Sequence, residues 1–197
     1  MRYGYIFTGA ATALLIAGSA YAAVGDVTGT VNVIGHVGGQ CSVLTNGETV
    51  SSSFTGQIDL GELAGTDGRL NTSITGGPVT FTVVCNTTAP SISLAASSLV
   101  GSASPPDGTY TNIVGYRANL TLAEVSSGSE TFHATSENSA SPTATTGTLA
   151  APLSGANNNV SVSVDNLTSN GGILTAGTYG VANSADGGVI SITITPS

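Results

Sequence analysis

The sequence predicts an all-β protein, on three observations. Val, Thr and Ile recur on a two-residue period, as in Val160, Val162, Val164 and again in Ile190, Ile192, Ile194. β-Branched residues at that period suit a half-buried sheet. Hydrophobic residues make up 40% of the chain, enough to build a core despite the abundance of Ser, Thr, Asn and Gly. No apolar period of three to four residues holds beyond a single turn after residue 22. Short strands punctuated by Gly, Pro and Asn turn signals predict a β-sandwich of immunoglobulin type.

The elements follow in order. Arg2, an apolar run from Ile6 to Ala17 and the small-x-small "SAYA" at 19–22 form the three parts of a secretory signal, too short to span a bilayer. Residues 1–22 are therefore expected to be removed, leaving 175 residues, enough for one domain. "VTGTVNVIGHV", 27–37, places Val27, Gly29, Val31, Val33, Gly35 and Val37 on alternate positions and reads as a strand. A strand so near a chain end frays unless something holds it. Asn46-Gly47 is a turn signal. "GQIDLGELAG" alternates Ile58 and Leu60 around Asp59, and Val79–Cys85 is a strong strand. Pro90 breaks the chain before a strand around Ile92 and Leu94, and the Pro-Pro-Asp-Gly run within 102–110 marks a loop. "NIVGYRANLTLAEV" reads as a longer strand or hairpin partner. Residues 134–148 are low in complexity and are expected to form a mobile surface loop. "NNNVSVSVDNL" and the terminal "GGVISITITPS" are strands again.

Composition excludes several functions. Without the signal the chain carries two arginines, Arg69 and Arg117, against eleven acids, a net charge of −9, and it has no lysine. Phosphates could not be neutralised, so nucleic acid is not an expected partner, and anionic membrane surfaces fail for the same reason. The two cysteines, Cys41 and Cys85, lie in a chain expected to be exported, where disulfides persist, and two cysteines allow one pairing.

The run "GTVNVIGHVGGQCSV", then "IDLGEL", then "VTFTVVCNTT", with "TAGTY" at 175–179 ahead of a terminal strand, resembles the pilin subunits of bacterial chaperone–usher fimbriae, including the spore-coat-U-like archaic branch. The resemblance spans most of the chain beyond the signal, and its most specific part is the alternating run into Cys41. It implies an immunoglobulin-like sandwich lacking its last strand (residues 39–197) behind an N-terminal donor-strand extension (23–38). Val31, Val33 and Val37 would fill pockets in a neighbour's groove, Gly35 would match the small residue at a shallow one, and the terminal strand with Ile190, Ile192 and Ile194 would flank the acceptor groove. The implied partners are further pilin subunits in a head-to-tail homopolymer, a periplasmic chaperone and an outer-membrane usher. The implied location is an extracellular fimbria reached through the periplasm, serving adhesion or biofilm formation. The chain ends Thr195-Pro196-Ser197, where the family commonly carries an aromatic for the chaperone. Strand addition explains in physical terms how an arm can be held from outside its own subunit: alternate side chains enter pockets while the backbone completes a ladder.

Other chemistry was weighed against plainer roles. His36 lies on the polar side of the opening strand, and His133 stands near Glu130 with no second nitrogen ligand nearby in sequence. Asp59 and Glu62 could in principle share acid and base work on a glycoside, but on a strand they would point to opposite faces. Asp165 and Asp186 read as turn residues. Sequons such as those at Asn71 and Asn119 are expected by chance in so Asn- and Thr-rich a chain. No nucleophile elbow, zinc-helix motif or phosphate loop is present, and neither catalysis nor a cofactor is expected. The absence of lysine closes sortase-type cross-linking, and the long apolar helix of type IV pilins is missing. The rival reading is a self-contained secreted β-sandwich that binds a glycan or another surface ligand.

Overall fold

The computed structural model describes residues 32–45, 49–126, 128–136, 143–180 and 187–197. The chain divides into two units, Met1–His36 and Val37–Ser197. Of the first, residues 32–36 are described, all exposed and in no strand. Val27, Gly29, Val31, the signal sequence, the Asn46-Gly47 turn and Asp186 lie outside the described residues.

The second unit is all-β, with no helix among the described residues. Its strands are β1 (Cys41–Thr45), β2 (Thr49–Ser51), β3 (Gly76–Cys85), β4 (Ser91–Ala96), β5 (Leu99–Val100), β6 (Tyr110–Thr111), β7 (Ile113–Glu124), β8 (Gly128–Ser136), β9 (Thr143–Thr148), β10 (Val160–Thr168), β11 (Ile173–Leu174) and β12 (Ile190–Thr195). The large sheet runs β2-β1-β3-β10-β7-β5, with β8 also paired to β7; a smaller one runs β12-β4-β9. All these pairings are antiparallel, and β6 and β11 form a short parallel pair.

Two-residue periodicity builds the core between these sheets. On β10, Val160, Val162 and Val164 point inward while Ser161, Ser163 and Asp165 point outward. On β4, Ile92, Leu94 and Ala96 are buried, and they join Ala118, Leu120 and Leu122 of β7 and Phe132 and Ala134 of β8 in one cluster. Full burial of each large aliphatic side chain stabilises by about 1.5–3 kcal/mol. The disulfide joins Cys41 to Cys85, which stand directly opposite in the β1–β3 ladder with S–S 2.08 Å and Cα–Cα 4.1 Å.

Three expectations are corrected. The stretch 134–148 is not one mobile loop: β8 continues to Ser136, and β9 pairs with β4 at six positions from Thr143 to Thr148. Threonine's branched side chain favours a pleated surface whatever the complexity of the sequence around it. The alternating "GQIDLGELAG" forms no strand beyond a single bridge between Ala64 and Leu70. There Asp59 Oδ1 accepts the Gly61 N–H and Glu62 Oε1 the Ala64 N–H, while Gly61 has φ +66. Such local bonds compete with a ladder. Asp165 sits on β10 rather than in a turn, its two oxygens each 2.8 Å from the Arg117 guanidinium.

Candidate functional site: a cleft beside the terminal strand

Beyond β2 the chain crosses to the inner side of the large sheet and runs along it from Phe54 to Leu60. The glycines fix this path. A Cβ on Gly56 would lie 2.8 Å from Val79 and 2.9 Å from the Phe81 ring, and one on Gly76 would collide with Ile58 and Leu60. Phe54 meets Phe81 with ring centroids 4.3 Å apart. The segment thus occupies the layer of the small sheet, with its apolar side chains packed against the core cluster. Its backbone makes no hydrogen bond to another strand among the described residues.

The other wall is β12. It pairs with β4 from Ile190 to Thr195, and its second edge has no partner among the described residues. Ile190, Ile192 and Ile194 face inward yet are only half-buried. Between the two walls lies a cleft of about 670 Å3, floored by Val79 and Phe81 of β3, Val162 and Val164 of β10 and Tyr116 of β7. Ile190 and Ile192 line it; Ile194 packs on the core further along. A neighbouring cleft of about 640 Å3 shares Ile58, Leu60, Leu99 and Tyr179 with it and extends past Asp59 and Glu62 towards Leu174.

Among the described residues no charged side chain lines the first cleft. Its two tyrosines are neutral hydrogen-bond donors: the Tyr116 hydroxyl reaches Val189 O at 3.4 Å, and that of Tyr179 reaches Thr175 O at 3.0 Å. Burial pushes both hydroxyls above their ordinary values. The surface offered is apolar side chains, small residues and a free strand edge. That combination can seat an extended peptide with alternating apolar side chains; among the described residues the lining holds no carboxylate, imidazole or thiol that could move a proton.

The remaining sequence-derived residues are dispersed. Val33, Ile34 and Val37 are 92%, 93% and 82% exposed, and residues 32–37, Gly35 included, carry no strand pairing. His36 is exposed on the same stretch. His133 lies on the outer face of β8 with Nδ1 2.6 Å from Asn119 Oδ1. Asp59 and Glu62 serve the local turns already described. Among the described residues no group of His, Cys, Asp and Glu could hold a metal ion, and no helix is long and apolar enough to cross a membrane.

Of the site residues singled out in the sequence, Ile190 and Ile192 line the first cleft, whereas Phe54, Phe81, Tyr116 and Tyr179, which also line it, were not singled out. The missed signal is the extension of the Ile58/Leu60 alternation back through Gly56 to Phe54. No protein-family model, no curated protein and no solved structure matches this chain.

Proposed function

We propose that the chain is a structural subunit of an extracellular fimbria, polymerised by donor-strand complementation. The leading arm, 23–38, of one subunit enters the cleft between β12 and Phe54–Leu60 of the next. Val31, Val33 and Val37 then fill the apolar floor, with Gly35 at a shallow pocket and Val27 and Gly29 continuing the donated strand. The observation that supports this reading most is the cleft itself: about 670 Å3 of apolar-lined space, with no charged lining side chain among the described residues, beside a strand whose second edge has no partner among them and whose isoleucines are half-buried. The exposed Val33 and Val37 supply the complementary feature.

Magnitudes favour the contact. Each valine transferred from water into the cleft contributes about 1.5–3 kcal/mol, and the arm's backbone gains a ladder on the β12 edge. The contact is head-to-tail, so it does not close on itself and yields a fibre. In this reading the body is an immunoglobulin-like sandwich completed by its neighbour's strand. A periplasmic chaperone guards the cleft before assembly, and an outer-membrane usher passes subunits to the cell surface. The role is structural rather than enzymatic, in adhesion or biofilm formation.

The test is deletion followed by replacement. Residues 39–197 alone are expected to aggregate or stay incompletely folded, and a synthetic peptide of residues 23–38 should bind them and restore cooperative unfolding. A body that is monomeric, soluble and fully cooperative without the arm, and indifferent to the peptide, would overturn the reading.

A further inference from the structure

A separate cleft of about 610 Å3 shares Phe54, Thr55 and Phe81 with the first but opens between the β1–β3 edge, residues 53–55 and the loop ahead of β10. Its rim carries the hydroxyls of Ser53, Thr55 and Thr80 and the side chains of Asn157 and Asn158, all on exposed residues. Its floor is Leu44 and the Phe54–Phe81 pair.

The two asparagines are presented by a rigid loop. Asn158 is held at φ +57, where few residues other than glycine sit, and its N–H donates to Thr82 Oγ1 at 2.9 Å. Next to it Asn159 is buried and clamps the loop to β3, accepting the Val83 N–H at 2.8 Å and donating to Val83 O at 2.6 Å and Ser154 O at 2.5 Å. By contrast, no hydrogen bond among the described residues engages the side-chain amides of Asn157 and Asn158. Asparagine adopts the left-handed region more readily than most non-glycine residues, and here the fixed backbone holds its unengaged amide toward the cleft.

We infer that this cleft binds an uncharged saccharide. Among the described residues no ionisable side chain lines it. Among those residues a phosphate, sulfate or carboxylate would find no cation, and an amine no carboxylate. What the lining offers is two carboxamides and three hydroxyls, each able to donate and accept, above a partly apolar aromatic floor. A neutral sugar ring presents the matching surface: hydroxyls around the rim and apolar C–H groups on its faces. The volume lies within the roughly 300–1,000 Å3 usual for small-ligand sites. This inference stands apart from the fibre reading, since the arm would enter the other cleft. In a polymer the site would repeat with every subunit and gain avidity.

The experiment uses the purified exported chain with cellotriose, maltotriose and mannotriose as neutral probes and trigalacturonate as a charged one, read by saturation-transfer NMR and calorimetric titration. At least one neutral trisaccharide should bind with a dissociation constant of 10 mM or tighter, and more tightly than trigalacturonate. Asn157→Ala and Asn158→Gly should each weaken it at least tenfold; glycine keeps the left-handed backbone, and Asn157 makes no structural bond. Unchanged thermal unfolding of both variants ties the loss to the rim. Absence of binding by every neutral probe, equal binding of the charged one, or variants that bind as well as the parent would each overturn the inference.

Discussion

At the scale of the residue, three adjacent asparagines show how position decides what one side chain does. Asn157 and Asn158 face solvent, whereas Asn159 satisfies both the N–H and the carbonyl of Val83. Asn159→Ala leaves those groups buried and unpaired at about 1–3 kcal/mol each, so denaturant unfolding should show a loss of about 3 kcal/mol. A loss that large in Asn157→Ala would contradict the assignment of roles. Gly147 is constrained differently: a Cβ there would collide with the Phe132 ring in the core. Gly147→Val should cost about 1–3 kcal/mol by overpacking, measured as a lower denaturation midpoint. Arg117 and Asp165 form a bidentate pair across β7 and β10. The hydrogen bond from Arg117 is the largest influence holding the Asp165 carboxyl below its ordinary value, although its partial burial opposes this. A depressed folded-state value contributes stability above the unfolded value, near 3.9, and loses it as pH falls through the folded one. Asp165→Asn should therefore flatten the acid limb of the stability–pH curve below about pH 4 and leave the shape near neutrality unchanged.

At the scale of the element, strands with a clean two-residue period were legible and segments governed by local chemistry were not. β3, β4, β10 and β12 sit where Val79–Cys85, Ile92/Leu94, Val160–Val164 and Ile190–Ile194 placed them, because one buried face forces the alternation. β9 was hidden because Thr, Ala and Gly in low-complexity order also describe a loop; what makes it a strand is β4 alongside, which no local pattern records. The segment 56–65 erred in the opposite direction. Its alternation is real, and its apolar residues do pack inward, but Asp59 and Glu62 bond their own backbone instead of a ladder. The Cys41–Cys85 disulfide was legible from the cysteine count, two cysteines allowing one pairing. It closes a loop of 44 residues between β1 and β3, so Cys41→Ser with Cys85→Ser should cost about 4 kcal/mol on the chain-entropy account, read from urea unfolding with and without reductant.

At the scale of the whole molecule, the cleft is the feature least visible in sequence. Its floor and walls come from β3, β7, β10, β12 and the Phe54–Leu60 segment, and only the fold assembles them. The sequence could show a donor-like arm and a terminal strand, each by its own alternation, but not the space between β12 and its opposite wall. An apolar wall there makes a charge test informative: Ile192→Asp should abolish polymers on a size-exclusion column while an exposed control, Thr193→Asp, leaves them intact. Covalent capture tests the central claim most directly. In the chain from residue 23 onward Val33, Gly35 and Val37 are changed to cysteine one at a time, each combined with Ile190→Cys or Ile192→Cys, and mild oxidation is followed by a non-reducing denaturing gel. Donation of the arm to a neighbour predicts a ladder of covalent oligomers for at least one pair, in every multiple of the subunit mass. Monomers cross-linked within themselves, or no cross-link in any of the six pairs, would contradict it.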